Sequence, residues 1–134
     1  MLNEAKRKLE ERAKERDLAA QAEHEGSTQG EEIFQCDLAD KTAVLAMMEG
    51  VEVVLHFGGL STEYACEDIM PANFLGTANL YEAVHKCRVK RVVCASSNHA
   101  VGFYRTTDVI DADAPPRPDT FYGVNKCFGE SLSR

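Results

Sequence analysis

No two of the five cysteines stand at metal-ligand spacing. Cys36, Cys66, Cys87, Cys94 and Cys127 are scattered, odd in number and form no CxxC. That excludes a disulfide framework, leaves no metal site to propose, and reads as reduced thiols in a cytoplasmic protein. Basic clusters are missing too. Acidic residues outnumber Lys and Arg by 22 to 15, the net charge is −7, and no Lys/Arg run adjoins aromatics. A nucleic-acid partner or an anionic membrane surface is therefore not expected. No apolar h-region follows Met-Leu-Asn-Glu-Ala-Lys-Arg-Lys, and no apolar run approaches the ~20 residues of a bilayer span. Neither a signal peptide nor a membrane anchor is expected. Internal repeats are absent.

What remains is 134 residues with 44% hydrophobic and 28% charged content, the balance of one globular domain. Residues 2–25 are helix formers with a thin stripe of Leu2, Leu9 and Leu18, so they read as a solvated, charged helix. Gly26 to Gly30 breaks it. Residues 33–36 form a short strand candidate ending in Asp37-Leu38-Ala39-Asp40. Asp40 is placed to cap a helix over 41–48, which Gly50 closes. A second strand over 51–56 runs into Phe57-Gly58-Gly59-Leu60-Ser61-Thr62-Glu63. Two glycines after a strand let a backbone lie against a flat ligand, though a tight turn would also use them. A helix over about 67–86 aligns Ile69, Asn73, Thr77, Leu80, Tyr81 and Val84. Gly76 in its middle implies a close approach to a sheet or a ligand, and Pro71 implies a first turn or a kink.

The run 91–95 is rich in β-branched residues and reads as a fully buried strand. It pairs in parallel with 51–56 through the helix between them. Ser96-Ser97-Asn98-His99 follows at its carboxyl end, the edge where open α/β sheets bind ligands. A long aperiodic loop ends in Pro115-Pro116-Arg117-Pro118-Asp119, and Asp119 or Thr120 caps a last helix with Phe128 and Leu132 inward. That helix carries Tyr122 and Lys126 one turn apart on one face. A phenol beside an ammonium makes a base, because positive charge favours the phenolate. Each piece has a plainer alternative. Tyr122 could be packing on the sheet, His99 could be ordering a loop, and Glu63 could be an exposed acid.

In this order, Asp37-Leu38, His56-Phe57-Gly58-Gly59, Asn73-x-x-Gly76-Thr77-x-Asn79, Ser96-Ser97 and Tyr122-x-x-x-Lys126 resemble the extended short-chain dehydrogenase/reductase superfamily, the NAD-dependent epimerase/dehydratase family. Ser96-Ser97-Asn98-His99, Gly102-Phe103-Tyr104 and Arg117-Pro118-Asp119-x-x-Tyr122-Gly123 further resemble uronate dehydrogenases. The resemblance covers about residues 31–134. It implies an α/β fold: a partial Rossmann-like, doubly wound parallel sheet of about three strands with flanking helices. Residues 1–30 would then be a charged helical extension and linker, and 31–134 a partial NAD(P)-binding domain.

The resemblance also implies roles. Asp37 and Leu38 would hold the adenine of NAD, and Phe57, Gly58 and Gly59 would line its ribose and phosphate passage. Asn73 belongs to the same cofactor-binding set. Ser61, Thr62, Glu63, Asn98 and His99 would contact the sugar. Ser97, Tyr122 and Lys126 would be catalytic, with Lys126 also on the nicotinamide ribose. The implied reaction oxidises a hexuronic acid, glucuronate or galacturonate, at the anomeric carbon to a lactone. The alternatives are a nucleotide-sugar epimerase or dehydratase, and an inactive remnant acting as a binding module. A homo-oligomer is allowed. The family's glycine-rich turn has no counterpart in residues 1–30, which implies a chain lacking both ends of the parent enzyme.

Overall fold

The computed structural model describes residues 33–61 and 64–134. Contacts divide the chain into Met1–Gln35 and Cys36–Arg134. All secondary structure among the described residues lies in the second unit. The expected helix over 2–25 and the break at 26–30 lie outside the described residues.

Asp40 begins the first helix, α1 (Lys41–Met47), by accepting from the backbone N–H groups of Thr42 and Ala43 at 3.0 and 3.1 Å. These are donors a helix cannot satisfy from within. Gly50, at φ 77°, turns the chain out of α1 in a conformation that costs glycine least. Strand β1 (Val53–His56) follows, and β2 (Arg91–Cys94) pairs with it in parallel, Val53 opposite Arg91 and His56 opposite Cys94. The parallel pair expected from the sequence is therefore present in the expected register region. Between the strands the chain makes α2 (Cys66–Ile69), a π-helical turn (Met70–Leu75) and α3 (Gly76–Cys87). The π turn resolves the problem of Pro71. A residue with no N–H sits near its start, and the widened turn closes with Gly76 N–H donating to Pro71 O. After β2 come a 3₁₀ turn (Asn98–Val101), the long loop, and α4 (Phe121–Leu132), capped by Thr120 rather than Asp119.

Three expectations need correction. Residues 33–36 are not a strand, so the sheet among the described residues has two strands, not three. Ile33 and Phe34 have strand-like chemistry, but a strand exists only where a neighbour completes its ladder. β2 is not buried on both faces. Val53, Leu55 and Val93 are 52%, 62% and 45% exposed, while Val54, Val92 and Cys94 face the helices. Leu132, expected to point inward, is exposed, whereas Phe128 stacks on Phe74 at 5.6 Å.

The core forms where α1 packs on α3. Val44, Met48, Leu80 and Ala83 are its buried centre. Each larger side chain so buried contributes about 1.5–3 kcal/mol. Glu82 lies between Lys41 of α1 and Lys86 of α3, and its hydrogen bonds to them, Lys41 first, pull its carboxyl down to about 2. Both ion pairs are solvent-exposed, so they orient the helices more than they stabilise them.

The close approach inferred at Gly76 is present, but to the turn before α1 rather than to a sheet or a ligand. A Cβ there would lie 2.8 Å from Leu38 Cβ. Buried Asn79 holds that turn by donating to Leu38 O and Ala39 O at 2.9 and 3.2 Å. Glycine to alanine in a helix ordinarily gains about 1 kcal/mol. Gly76→Ala is instead expected to lose about 1–3 kcal/mol, because Leu38 Cβ is anchored to backbone and cannot swing away. Gly129→Ala, whose Cβ would meet only ordinary contacts at 3.8 Å, is expected to gain up to about 1 kcal/mol. Urea midpoints of the two variants, moving in opposite directions, check this.

Candidate functional site

The carboxyl ends of β1 and β2 gather the residues singled out by sequence. The ladder extends one step past β2, with Ala95 N–H donating to His56 O at 3.1 Å. Ala95 O then accepts from Lys126 Nζ at 2.9 Å, so the ammonium of α4 rests on the strand tip. The same Nζ is 5.3 Å from the centre of the Tyr122 ring. His99 meets that ring edge-on, centroids 5.9 Å apart. Ser97 Oγ accepts from His99 N at 3.2 Å as it starts the 3₁₀ turn. Ser97, His99, Tyr122 and Lys126 are thus brought to one neighbourhood. Asn98 stands beside Ser97, with Oγ donating to its Oδ1 at 3.3 Å.

This meeting depends on a missing side chain. A Cβ on Gly123 would lie 2.2 Å from His99 O, so only glycine lets the start of α4 press against the turn after β2.

The other half of the site lies at the end of β1. Gly58 and Gly59 are exposed and present bare backbone, with Gly59 at φ 116°. Asn73, projecting from the π turn, is 3% exposed and clamps this loop: its Oδ1 accepts from Leu60 N at 2.7 Å and its Nδ2 donates to Leu60 O at 3.0 Å. Its amide is therefore committed to shaping the glycine loop. Leu38 approaches from the other side, its Cδ1 3.2 Å from where a Gly58 Cβ would be. Asp37 is exposed and makes a turn, its Oδ1 accepting from Ala39 N at 2.9 Å. Phe57 is exposed at 67% and Ser61 is exposed. Thr62 and Glu63 lie outside the described residues. The two glycines leave the strand end without side-chain cover between Leu38 and Asn73.

Sequence reading passed over three features. Asp119 pairs with His99, Oδ1 to Nδ1, at 2.8 Å. Asn79 holds the Leu38 turn. Asn125 is 5% exposed, and its Nδ2 has no hydrogen-bond partner among the described residues. A polar residue one position before the lysine was the available signal. At Cys127, burial first, and then Glu130, push the thiol pKa up, and Sγ donates to Ala100 O at 3.5 Å.

Clefts open on the surface of the described residues. One of about 460 Å³ is lined by Ser97, Ala100, Ile110 and Cys127. A wider one of about 1000 Å³ opens between Tyr81, Arg88, Arg91 and Leu132, by the start of β2. The first touches the candidate site only at Ser97; Tyr122, Lys126, Gly58 and Gly59 do not line it.

A sequence model of the NAD dependent epimerase/dehydratase family matches residues 4–134. Uronate dehydrogenase of Pseudomonas putida is 53% identical over 103 residues, covering 77% of this chain and 38% of that protein. Glucuronic acid dehydrogenase from Chromohalobacter salexigens superposes with a TM-score of 0.78 at 46% identity, covering 80% of this chain and 40% of the other. A variant of uronate dehydrogenase from Agrobacterium tumefaciens, solved with NAD, gives 0.76 at 47% identity, covering 79% and 40%. The chain thus spans about two-fifths of the length of these relatives.

His56 supplies a test of the site's electrostatics. It is 7% exposed, and burial first, then the Lys126 charge, lower its pKa below 6.5. Below about pH 6.5 the unfolded chain takes up a proton that folded His56 refuses, so stability falls as pH drops through that point and is flat above it. Urea midpoints between about pH 7.5 and about pH 5.5, above the carboxylate range, should fall in the unaltered chain and fall less in His56→Gln.

Proposed function

The chain belongs to the NAD dependent epimerase/dehydratase family, and from that premise we propose that it carries the catalytic half of an NAD-dependent oxidation of a hexuronic acid at its anomeric carbon. The observation that carries this reading is the convergence of Lys126 and His99 on the Tyr122 ring, at 5.3 and 5.9 Å, beside Ser97. The names of the similar proteins support the substrate class.

Ser97 and Tyr122 both hydrogen-bond the anomeric hydroxyl. The Tyr122 oxygen takes its proton as hydride leaves the same carbon. Lys126, fixed by Ala95 O, puts positive charge beside the ring and stabilises the negative charge that a phenolate base carries. Loss of hydride and proton together turns the cyclic hemiacetal into a lactone carbonyl. NAD, when bound, supplies the hydride acceptor. Leu38 and Asp37 would hold its adenine end, and Phe57, Gly58 and Gly59 would border its ribose and phosphate, in a loop whose shape Asn73 maintains. Lys126 would hold the nicotinamide ribose with its remaining N–H groups. Ser61, Thr62, Glu63, Asn98 and His99 contact the sugar. Positioning of the two reactants contributes more to rate than any single proton transfer. All five cysteines are free, which supports a reducing, cytoplasmic location. No helix among the described residues is long and apolar enough to cross a membrane.

Turnover of glucuronate and galacturonate with NAD, followed by the near-ultraviolet absorbance of the reduced nicotinamide, tests the reading. Tyr122→Phe is expected to lower kcat by about 10²–10⁴-fold with the fold intact. Equal rates in the variant and the unaltered chain, or no turnover of either acid by the folded chain, would contradict it.

A further inference from the structure

His99 is held by a carboxylate twenty positions away, and the hold is built into the backbone. Asp119 N–H donates to His99 O at 3.3 Å, Arg117 N–H to Ala100 O at 3.0 Å, and Phe103 N–H to Arg117 O at 2.9 Å. The turn after β2 and the segment before α4 therefore run side by side. Two glycines make room for the pair. A Cβ on Gly102 would lie 2.2 Å from the Asp119 carboxylate, and one on Gly123 would lie 2.2 Å from His99 O. Loop segments that met only by chance would not need both positions empty.

The chemistry of the contact gives it a direction. Asp119 is held below the usual carboxylate range, chiefly by its hydrogen bond from His99, so it is ionised and can only accept. The proton of the 2.8 Å contact must then sit on His99 Nδ1. In a neutral imidazole this leaves Nε2 with a lone pair and no hydrogen. Nε2 has no partner among the described residues, and the side chain is 42% exposed beside Tyr122.

We propose that Asp119 is a positioning residue that fixes His99 as the Nδ1–H tautomer, so that Nε2 accepts a hydrogen bond from a sugar hydroxyl next to the reacting carbon. The sugar half of this statement rests on the dehydrogenase reading above; the tautomer half stands on the geometry alone. The consequence for recognition is specific. Neutral His99 presented in this way selects an O–H donor. A carboxylate, which only accepts, is not its partner, so the acid group of a uronate must be read elsewhere.

The test is ring ¹H–¹⁵N correlation of the histidine-labelled chain at about pH 8, where imidazoles are neutral. His99 signals are identified by their loss in His99→Gln. The unaltered chain should show His99 as Nδ1–H, and Asp119→Ala should move it toward the Nε2–H form favoured by free imidazole. The same variant should raise KM for glucuronate about tenfold while kcat changes less than about twofold. A purely structural role for Asp119 would leave the tautomer unmoved. His99 found as Nε2–H in the unaltered chain overturns the proposal whether or not any variant folds, and so does an Asp119→Ala spectrum with the tautomer unchanged. The spectrum requires no turnover. A chain with the Nδ1–H histidine that oxidises no uronate keeps the Asp119 assignment and overturns the dehydrogenase reading instead.

Discussion

Position 123 has no side chain, and the carbonyl of His99 occupies the space where one would be. That contact seats the first turn of α4 against the tip of β2. Tyr122 and Lys126 lie on either side of it in sequence, Ser97 and His99 just across it in space. Were α4 held a methyl group farther out, Lys126 would lose Ala95 O, and the Tyr122 ring would withdraw from His99. The site is therefore a matter of helix-to-strand spacing before it is one of side-chain chemistry. Its parts come from elements far apart in sequence, and only a close backbone approach holds them in one geometry.

The same device recurs at the end of β1. Gly76 admits the Leu38 turn, and Gly58 and Gly59 leave bare backbone at the end of β1. In each place a buried asparagine does the holding: Asn79 on Leu38 and Ala39, Asn73 on Leu60. A buried side-chain amide that satisfies backbone groups of a loop fixes that loop more firmly than apolar packing, since slippage would strand polar atoms without partners. The π turn belongs to this scheme, because it alters the facing of Asn73 relative to a regular helix. Glycine for proximity and asparagine for position are one strategy used on both sides of the sheet edge.

Much of this was legible in the chain. The parallel pair could be read from two β-branched runs joined by a helix of crossover length, the cap of α1 followed from Asp40, and that of α4 was narrowed to Asp119 or Thr120. Gly76 announced a close approach, although not the partner. The misreadings share a cause. Residues 33–36 have the composition of a strand, but pairing is a property of two segments, and composition reports on one. The apolar runs of β1 and β2 suggested burial on both faces, whereas helices cover one and Val53, Leu55 and Val93 remain open on the other. Leu132 matched the helical period but lies past the end of the packed surface. The pairing of His99 with Asp119 follows from no spacing rule, because a loop of irregular path separates them.

The central claim is convergence of a helix and a strand tip on one small volume, and proton–proton proximity measures it without reference to any activity. Nuclear Overhauser contacts in the uniformly labelled chain should connect the Tyr122 ring protons with those of the His99 ring and with the Lys126 side chain, and His99 with the α protons of Gly123. A Tyr122 ring whose only contacts were within its own helix, or with the apolar face of the sheet, would contradict the account.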